Sequence, residues 1–245
     1  MTLEVLDLRV RLGEQEGLRG VSLQLGRGEI VGLIGPPESG KTTLFKSLAG
    51  LVEPESGAIV FDGERQSRAQ PGELERWQGR IGMSFQNDAL FDSLTVFENV
   101  AFPLLRRGVV GPEADASVQG RIAEVGLAHA MDKLPSEISG GMRKRVGIAR
   151  AMIIEPRIGL FDDPTAGLDP VTSATILGMV RHLARELGSA TMVISNDLPA
   201  LFPICDRVMM LHGGEVVYDG TVEDVLASPR PEVVQFVTGA DEGPL

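Results

Sequence analysis

The chain has 245 residues, 43% of them hydrophobic and 23% charged, and a formal net charge of -11; it can bury a full α/β core, and its acidity argues against nucleic acid as a partner. No uninterrupted apolar run approaches the ~20 residues that span a bilayer and the N-terminus lacks a signal-peptide pattern, so a soluble protein able to sit on a membrane protein is expected. Cys205 is the only cysteine, which excludes an internal disulfide, points to a reducing cytosol and reads as a packed thiol rather than a nucleophile.

Residues 3–12 alternate apolar and polar side chains, the period of a half-buried strand, and Val21 to Leu25 repeats it after a glycine-bounded turn. Ile30 to Ile34 is a fully apolar strand that runs into Gly35-Pro36-Pro37-Glu38-Ser39-Gly40-Lys41-Thr42-Thr43 and then a helix with Leu44, Phe45 and Leu48 inward. That turn fits G-x-x-x-x-G-K-[ST]. Its glycines let successive N–H groups curl into an anion nest, and the helix start adds its own unpaired donors. Lys41 can then reach the β- and γ-phosphates of a nucleotide while the Thr42 hydroxyl sits on Mg²⁺.

Ala58 to Phe61 completes an antiparallel layer with the first two strands. Residues 64–79 are polar and hold Trp77, expected to anchor a short helix on the core. Arg80 to Phe85 reads as a strand ending at Gln86. Asn87 to Thr95 is loop-like, and a helical region from Val96 to about Ile153, broken once at Gly108, Gly111 and Pro112, reads as a lobe inserted between two core strands. Arg157 to Asp162 and Ala190 to Ser195 flank a long helix near 170–187, a strand–helix–strand order that implies a parallel sheet. Arg207 to Asp219 reads as a hairpin turned at Gly213-Gly214. A capped short helix at Thr221 and Asp224 then gives way to a polar, proline-containing tail. The expected architecture is thus an α/β P-loop NTPase (RecA-like) core over 1–86 and 155–225, with the antiparallel layer, an inserted helical lobe over 87–154 and a tail over 226–245.

Asp162, at the end of an apolar strand, is the natural second Mg²⁺ ligand beside Thr42. Ser139-Gly140-Gly141-Met142 opens a helix with Ser139 as N-cap. Two glycines in a first turn weaken a helix by ~1 kcal/mol each, yet let a phosphate approach the backbone. A second phosphate-facing helix start suggests ATP shared between two copies.

The ordered set Gly35–Thr43, Gln86, Ile138-Ser139-Gly140-Gly141-Met142, Leu160-Phe161-Asp162 and Ala166-Gly167-Leu168-Asp169 resembles the ATP-binding-cassette ATPases over nearly the whole chain. The resemblance implies an ATPase of an ABC transporter that uses ATP and Mg²⁺ and works as a head-to-tail dimer of identical copies on a transmembrane permease. Ser139, Gly140 and Gly141 of one copy would face the γ-phosphate held by the other, Asp169 would lie at the seam, and Gln86 would touch metal and water. The place implied is the cytoplasmic face of a bacterial inner membrane. Pro135-Ser136-Glu137-Ile138-Ser139-Gly140-Gly141-Met142-Arg143-Lys144-Arg145, with methionine where most relatives carry glutamine, is similar to the ATPase of Mla-type phospholipid transporters, as are Phe85 to Phe91 and the tail Gln235 to Gly239 with Gly243-Pro244. That similarity implies phospholipid transport with an MCE-type lipid-binding partner.

Three departures bear on the rate. The family's general base is a glutamate after the metal aspartate, where this chain has Asp163. Its γ-phosphate-sensing histidine would fall at Asn196, and the adenine-stacking aromatic expected near Arg11 or Leu12 is missing. His129, His182 and His212 read as solvated or packed. A slowly hydrolysing or non-hydrolysing switch, or a soluble ABC-type ATPase, is the alternative.

Overall fold

The computed structural model describes residues 2–13 and 15–245, with the backbone alone at Gln15. Strands β1 (Thr2–Leu12), β2 (Gln15–Gly26), β4 (Ser56–Phe61) and β5 (Glu64–Arg65) form an antiparallel sheet in the order β2-β1-β4-β5. The alternation in β1 carries a fault: Leu3 and Val5 are buried, then Leu8 and Val10, while Leu6 and Asp7 between them are both exposed. A register shift between Val5 and Leu8 produces this, with Asp7 at φ 42. The bulge turns the strand by one residue, so Leu6 lies on the outer face although it follows the apolar period.

The second sheet takes β3 (Ile30–Ile34), β6 (Ile81–Ser84), β7 (Ile158–Asp162), β8 (Ala190–Ile194), β9 (Arg207–His212) and β10 (Glu215–Gly220) in the order β10-β9-β3-β8-β7-β6. It is parallel except for the β9–β10 hairpin. Both faces are covered, which is why β3, β7 and β8 read as unbroken apolar runs. Alternate residues enter two separate cores. Val31 and Leu33 pack with the antiparallel sheet and with Leu44, Phe45 and Leu48 of α1 (Lys41–Leu48). Ile30 and Ile34 pack toward the helices on the other side.

Those helices include α3 (Val96–Arg106), α4 (Pro112–Glu124), α5 (Gly140–Met152) and α6 (Pro170–Leu187). The first three lie between β6 and β7 in chain order. Their buried residues Val100, Ile122, Val146 and Ile148 belong to the same cluster as Ile34 and Phe161 of the sheet. Thr95 and Glu98 close a capping box at α3. The helical region is broken twice, not once: after α4 the chain passes through 3-10 turns at Ala128–Ala130 and Pro135–Glu137 before α5. Gly126, at φ 71, ends the preceding segment in the manner of a helix C-terminus.

Trp77 anchors α2 (Glu73–Gln78), donating its Nε1 hydrogen to the Leu48 carbonyl at 2.7 Å and so satisfying an orphan acceptor at the end of α1. The short helix α7 (Leu198–Leu201) follows β8, capped by the Asp197 side chain. Thr221 caps α8 (Val222–Leu226) as the sequence predicts. The tail, however, is not all irregular: α9 (Pro231–Thr238) buries Val233 and stops at Gly239. Among the described residues no helix is long and apolar enough to cross a membrane.

Close packing of β6 on α5 gives one stability prediction. A Cβ on Gly82 would stand 2.1 Å from the Ala151 carbonyl oxygen and 2.8 Å from the Pro156 ring. Backbone must therefore move in Gly82→Ala, at a cost of about 3 kcal/mol, as for other overpacked sites. For a chain of this size the midpoint should fall by roughly 6–12 °C in a thermal melt, and an unshifted melt refutes the packing argument.

Candidate functional site

The site grows from the end of β3. Gly35 sits at φ 140, and a Cβ there would lie 2.1 Å from the Leu211 carbonyl oxygen on β9. Gly40 sits at φ 103 beside the Gly17 carbonyl oxygen, 2.6 Å from where a Cβ would fall. At both positions only glycine fits, and the loop is held close to its neighbours. Helix α1 starts at Lys41 with no side-chain cap, so its first N–H groups remain available on the cleft side. Lys41 Nζ donates to the Gly35 and Pro36 carbonyls at 2.6 and 2.7 Å, fastening the curve of the loop. Behind it, Ser39 is buried and its carbonyl accepts from the Gly214 N–H at 3.1 Å, which ties the loop to the β9–β10 turn.

Asp162 closes β7 opposite this loop, and the Thr42 hydroxyl donates to its Oδ2 at 3.3 Å. Burial raises the Asp162 pKa against the opposing pull of the Thr42 hydrogen bond and of Lys41 and Lys46. Burial likewise lowers Lys41, opposed by Asp162 and Asp163. Asp163 is raised by burial first, with Lys144 opposing and Asp162 adding to the rise. Its backbone is left-handed at φ 46 and its N–H donates to the Ile194 carbonyl at 3.0 Å, fixing it at the C-terminal end of β8. A hydroxyl and a carboxylate on the lip of an uncapped helix form an all-oxygen donor set of the kind Mg²⁺ takes together with phosphate. The residues present therefore fit a Mg²⁺-nucleotide.

One cleft of about 490 Å³ gathers Pro37, Glu38, Ser39, Gly40, Lys41, Thr42, Thr43, Gln86, Asp162, Asp163 and Asn196. Gly35 and Pro36 form the loop's root just behind it. Ser139, Gly140, Gly141 and Asp169 do not line it. Ser139 Oγ accepts from the Met142 N–H at 3.3 Å, as the sequence predicts for an N-cap. Asp169 caps α6, accepting from the Val171 and Thr172 N–H groups, and the Thr172 hydrogen bonds hold its carboxyl below the usual range. A Cβ on Gly141 would touch Thr172 and Leu168, so these two helix starts are neighbours.

Leu12, Glu16, Gly17 and Ile194 also line the cleft and were not among the expected site residues. Glu16 and Gly17 come from β2, which begins six residues before the stretch whose alternation marks it. Gly17 is the one visible signal, a glycine where Thr43 and the Gly40 backbone approach. Leu12 stands near where an aromatic was expected. Cys205 is half-buried, its thiol donates to the Leu201 carbonyl at 3.3 Å, and burial pushes its pKa up to about 12, so it is a packing group.

The family model described as "ABC transporter" matches residues 18–166. The "Methionine import ATP-binding protein MetN" of Bordetella pertussis is 40% identical over 228 residues, covering 93% of this chain and 63% of that protein. The protein of the same name from Burkholderia thailandensis is 40% identical over 241 residues, 97% of this chain and 70% of its own length. The chain thus spans less than two thirds of the Bordetella relative. Among solved structures, the dimeric post-hydrolysis state of the ATP-binding cassette MJ0796 bound to ADP and Pi superposes with a TM-score of 0.82 at 29% identity, over 90% of this chain and 98% of that one. CbiO1 from Clostridium perfringens, part of the ABC transporter complex CbiONQ, gives 0.83 at 29% identity over 98% and 95%. A phosphate loop, a facing aspartate and a capped Ser-Gly-Gly helix, on two sheets shared with these cassettes, place the chain in the ABC transporter family as an ATP-binding domain.

Proposed function

We propose that this chain is the ATPase subunit of an ABC transporter, hydrolysing Mg²⁺-ATP to drive a transmembrane permease from the cytoplasmic face of the membrane. The observation that carries the reading is the convergence of the phosphate loop, Thr42, Asp162, Gln86 and Asp163 on one cleft. Bound Mg²⁺ would supply charge neutralisation at the β- and γ-phosphates, with Thr42 and Asp162 holding it and Gln86 beside it. Lys41 and the first N–H groups of α1 would bind the phosphates. Asp163 would orient and deprotonate water, and Asn196 would donate a hydrogen bond to the γ-phosphate. Ser139, Gly140 and Gly141 lie off the cleft on an open helix start, which suits completion of the site of a second copy. The dimeric state of the MJ0796 cassette supports the same pairing.

For the cargo, the Pro135-to-Arg145 and Phe85-to-Phe91 strings support phospholipid transport with an MCE-type partner. A second reading, methionine import, is supported by the 40% identity to proteins named for that activity. Purification of the chain with its natural permease separates the two. Bound phospholipid that stimulates ATPase activity supports the first, and stimulation by methionine with no lipid supports the second.

Aspartate at 163 is one methylene shorter than glutamate, a retreat of ~1.5 Å. A misplacement of ~1 Å at a reacting centre can cost ~10²-fold in rate. Hydrolysis is therefore expected to be slow and the ATP-bound dimer long-lived. Asp163→Glu with Asn196→His should raise kcat by ~10-fold or more at similar ATP affinity. A double variant no faster than the parent, or Asp163→Asn with full activity, removes Asp163 as the base.

A further inference from the structure

The loop after Gln86 is held in an unusual conformation by one face of α5. Asp88 and Ala89 are consecutive non-glycine residues in left-handed geometry, at φ 59 and φ 47. Such a pair persists only where the surroundings over-determine it. The surroundings here come from α5 at three points. Arg150 donates to the Asp88 and Ala89 carbonyls at 2.7 Å each. Gly147 leaves room for the loop, since a Cβ there would reach Ser84 Oγ at 3.4 Å and the Asp88 carbonyl oxygen at 3.9 Å. Lys144 donates to the Gln86 carbonyl oxygen and lies 3.1 Å from Asp88 Oδ1.

Lys144 is the unexpected member. Only 8% of it is exposed, and an ammonium so deeply placed is costly unless oxygens surround it. Its two oxygen partners are both on the loop, and one belongs to the residue whose side chain faces the nucleotide cleft. Arg143 approaches Asp88 Oδ2 only to 4.0 Å and spends a hydrogen bond on the Ile138 carbonyl. The same helix that begins at Gly140 therefore grips the backbone of Gln86 four residues further on.

We propose that Lys144 is a positioning residue for Gln86: it fixes the Gln86–Asp88 backbone against α5 and thereby transmits any shift of the Ser139–Gly141 helix start to the Gln86 side chain. This rests on the ATPase reading above. The lysine does not line the cleft, but its charge bears on Asp163 as well, so amide exchange in the Gln86–Asp88 loop, rather than turnover alone, distinguishes positioning from lost charge.

The test uses the purified full chain and its Lys144→Met and Lys144→Arg variants, with amide hydrogen exchange, calorimetric Mg²⁺-ATP binding and steady-state kinetics. In Lys144→Met, amides of Asn87 to Leu90 should exchange ~10-fold faster while those of Val146 to Met152 keep their protection. The kcat should fall by ~10–10²-fold with KM and Kd for ATP within ~2-fold. Lys144→Arg, which restores a cation and its donors, should recover most of both changes. Parent-like exchange in the loop, equal loss of protection along α5, or an arginine variant as impaired as the methionine one each overturns the proposal. Failure of the parent to bind Mg²⁺-ATP instead overturns the ATPase reading, and the exchange comparison, which needs no nucleotide, still decides the loop.

Discussion

Lys41→Ala should weaken Mg²⁺-ATP binding by ~10²–10³-fold in a calorimetric titration and abolish measurable turnover. The size follows from two charge-assisted hydrogen bonds at ~1.5–2 kcal/mol each, with ~1.4 kcal/mol per tenfold in affinity. Lys41 also fastens the Gly35 and Pro36 carbonyls, so the variant loosens the loop as well as removing a cation. Lys41→Met keeps the stem but loses the same Nζ donors, so equal losses in both variants assign the effect to the ammonium rather than to packing of the stem. Retained affinity in either would remove the phosphate loop as the binding site.

Gly141→Asp should lower turnover by ~10²-fold or more and leave nucleotide binding to a single copy within ~2-fold. If this helix start faces the γ-phosphate of a second copy, as proposed above, a carboxylate there would cost several kcal/mol by like-charge repulsion. Within one copy the change is mild, since a Cβ at 141 would meet the Thr172 methyl at 3.3 Å, which has to yield by a few tenths of an ångström, and Leu168 in ordinary contact at 4.0 Å. The measurement is a pair: ATP titration of the dilute chain, and ATP-dependent dimerisation by light scattering. Lost binding with dimerisation intact would assign this helix start to the folding or nucleotide site of its own chain.

Much of this site was legible because its parts are local in sequence. The apolar run from Ile30 to Ile34, the glycine spacing and the helix after Lys41 are contiguous, and β7 ends on Asp162 as its pattern suggests. The hairpin at Gly213-Gly214 was readable for the same reason. What escaped was set at a distance. Glu16 and Gly17 reach the cleft through an extension of β2 that has no clear alternation. The bulge at Leu6 and Asp7 reverses faces in mid-strand, which period counting cannot register. Helix α9 carried its signals, Pro231 at the start and Gly239 past the end, but its short apolar face is hidden by a polar tail. Lys144 looks like one of several surface cations until residues 86–88 are brought against α5.

Strand β3 has consequences for the order in which the molecule can be made. Its partners are Thr191 to Ile194 on one side and Arg207 to Met210 on the other, so both of its hydrogen-bonding edges stay empty until the last part of the chain has left the ribosome. Loop closure over such spans is slow, and unpaired apolar edges attract wrong neighbours meanwhile. The antiparallel sheet, whose strands all lie before residue 66, can assemble early and shelter Val31 and Leu33 against one face. The phosphate loop cannot take its shape then, because Gly35 is seated on Leu211 and Ser39 on Gly214. Nucleotide binding should therefore be acquired only once β8, β9 and Gly214 have emerged, and ribosome-bound chains halted before β8 should fail to retain ATP even though every residue of the loop has already emerged.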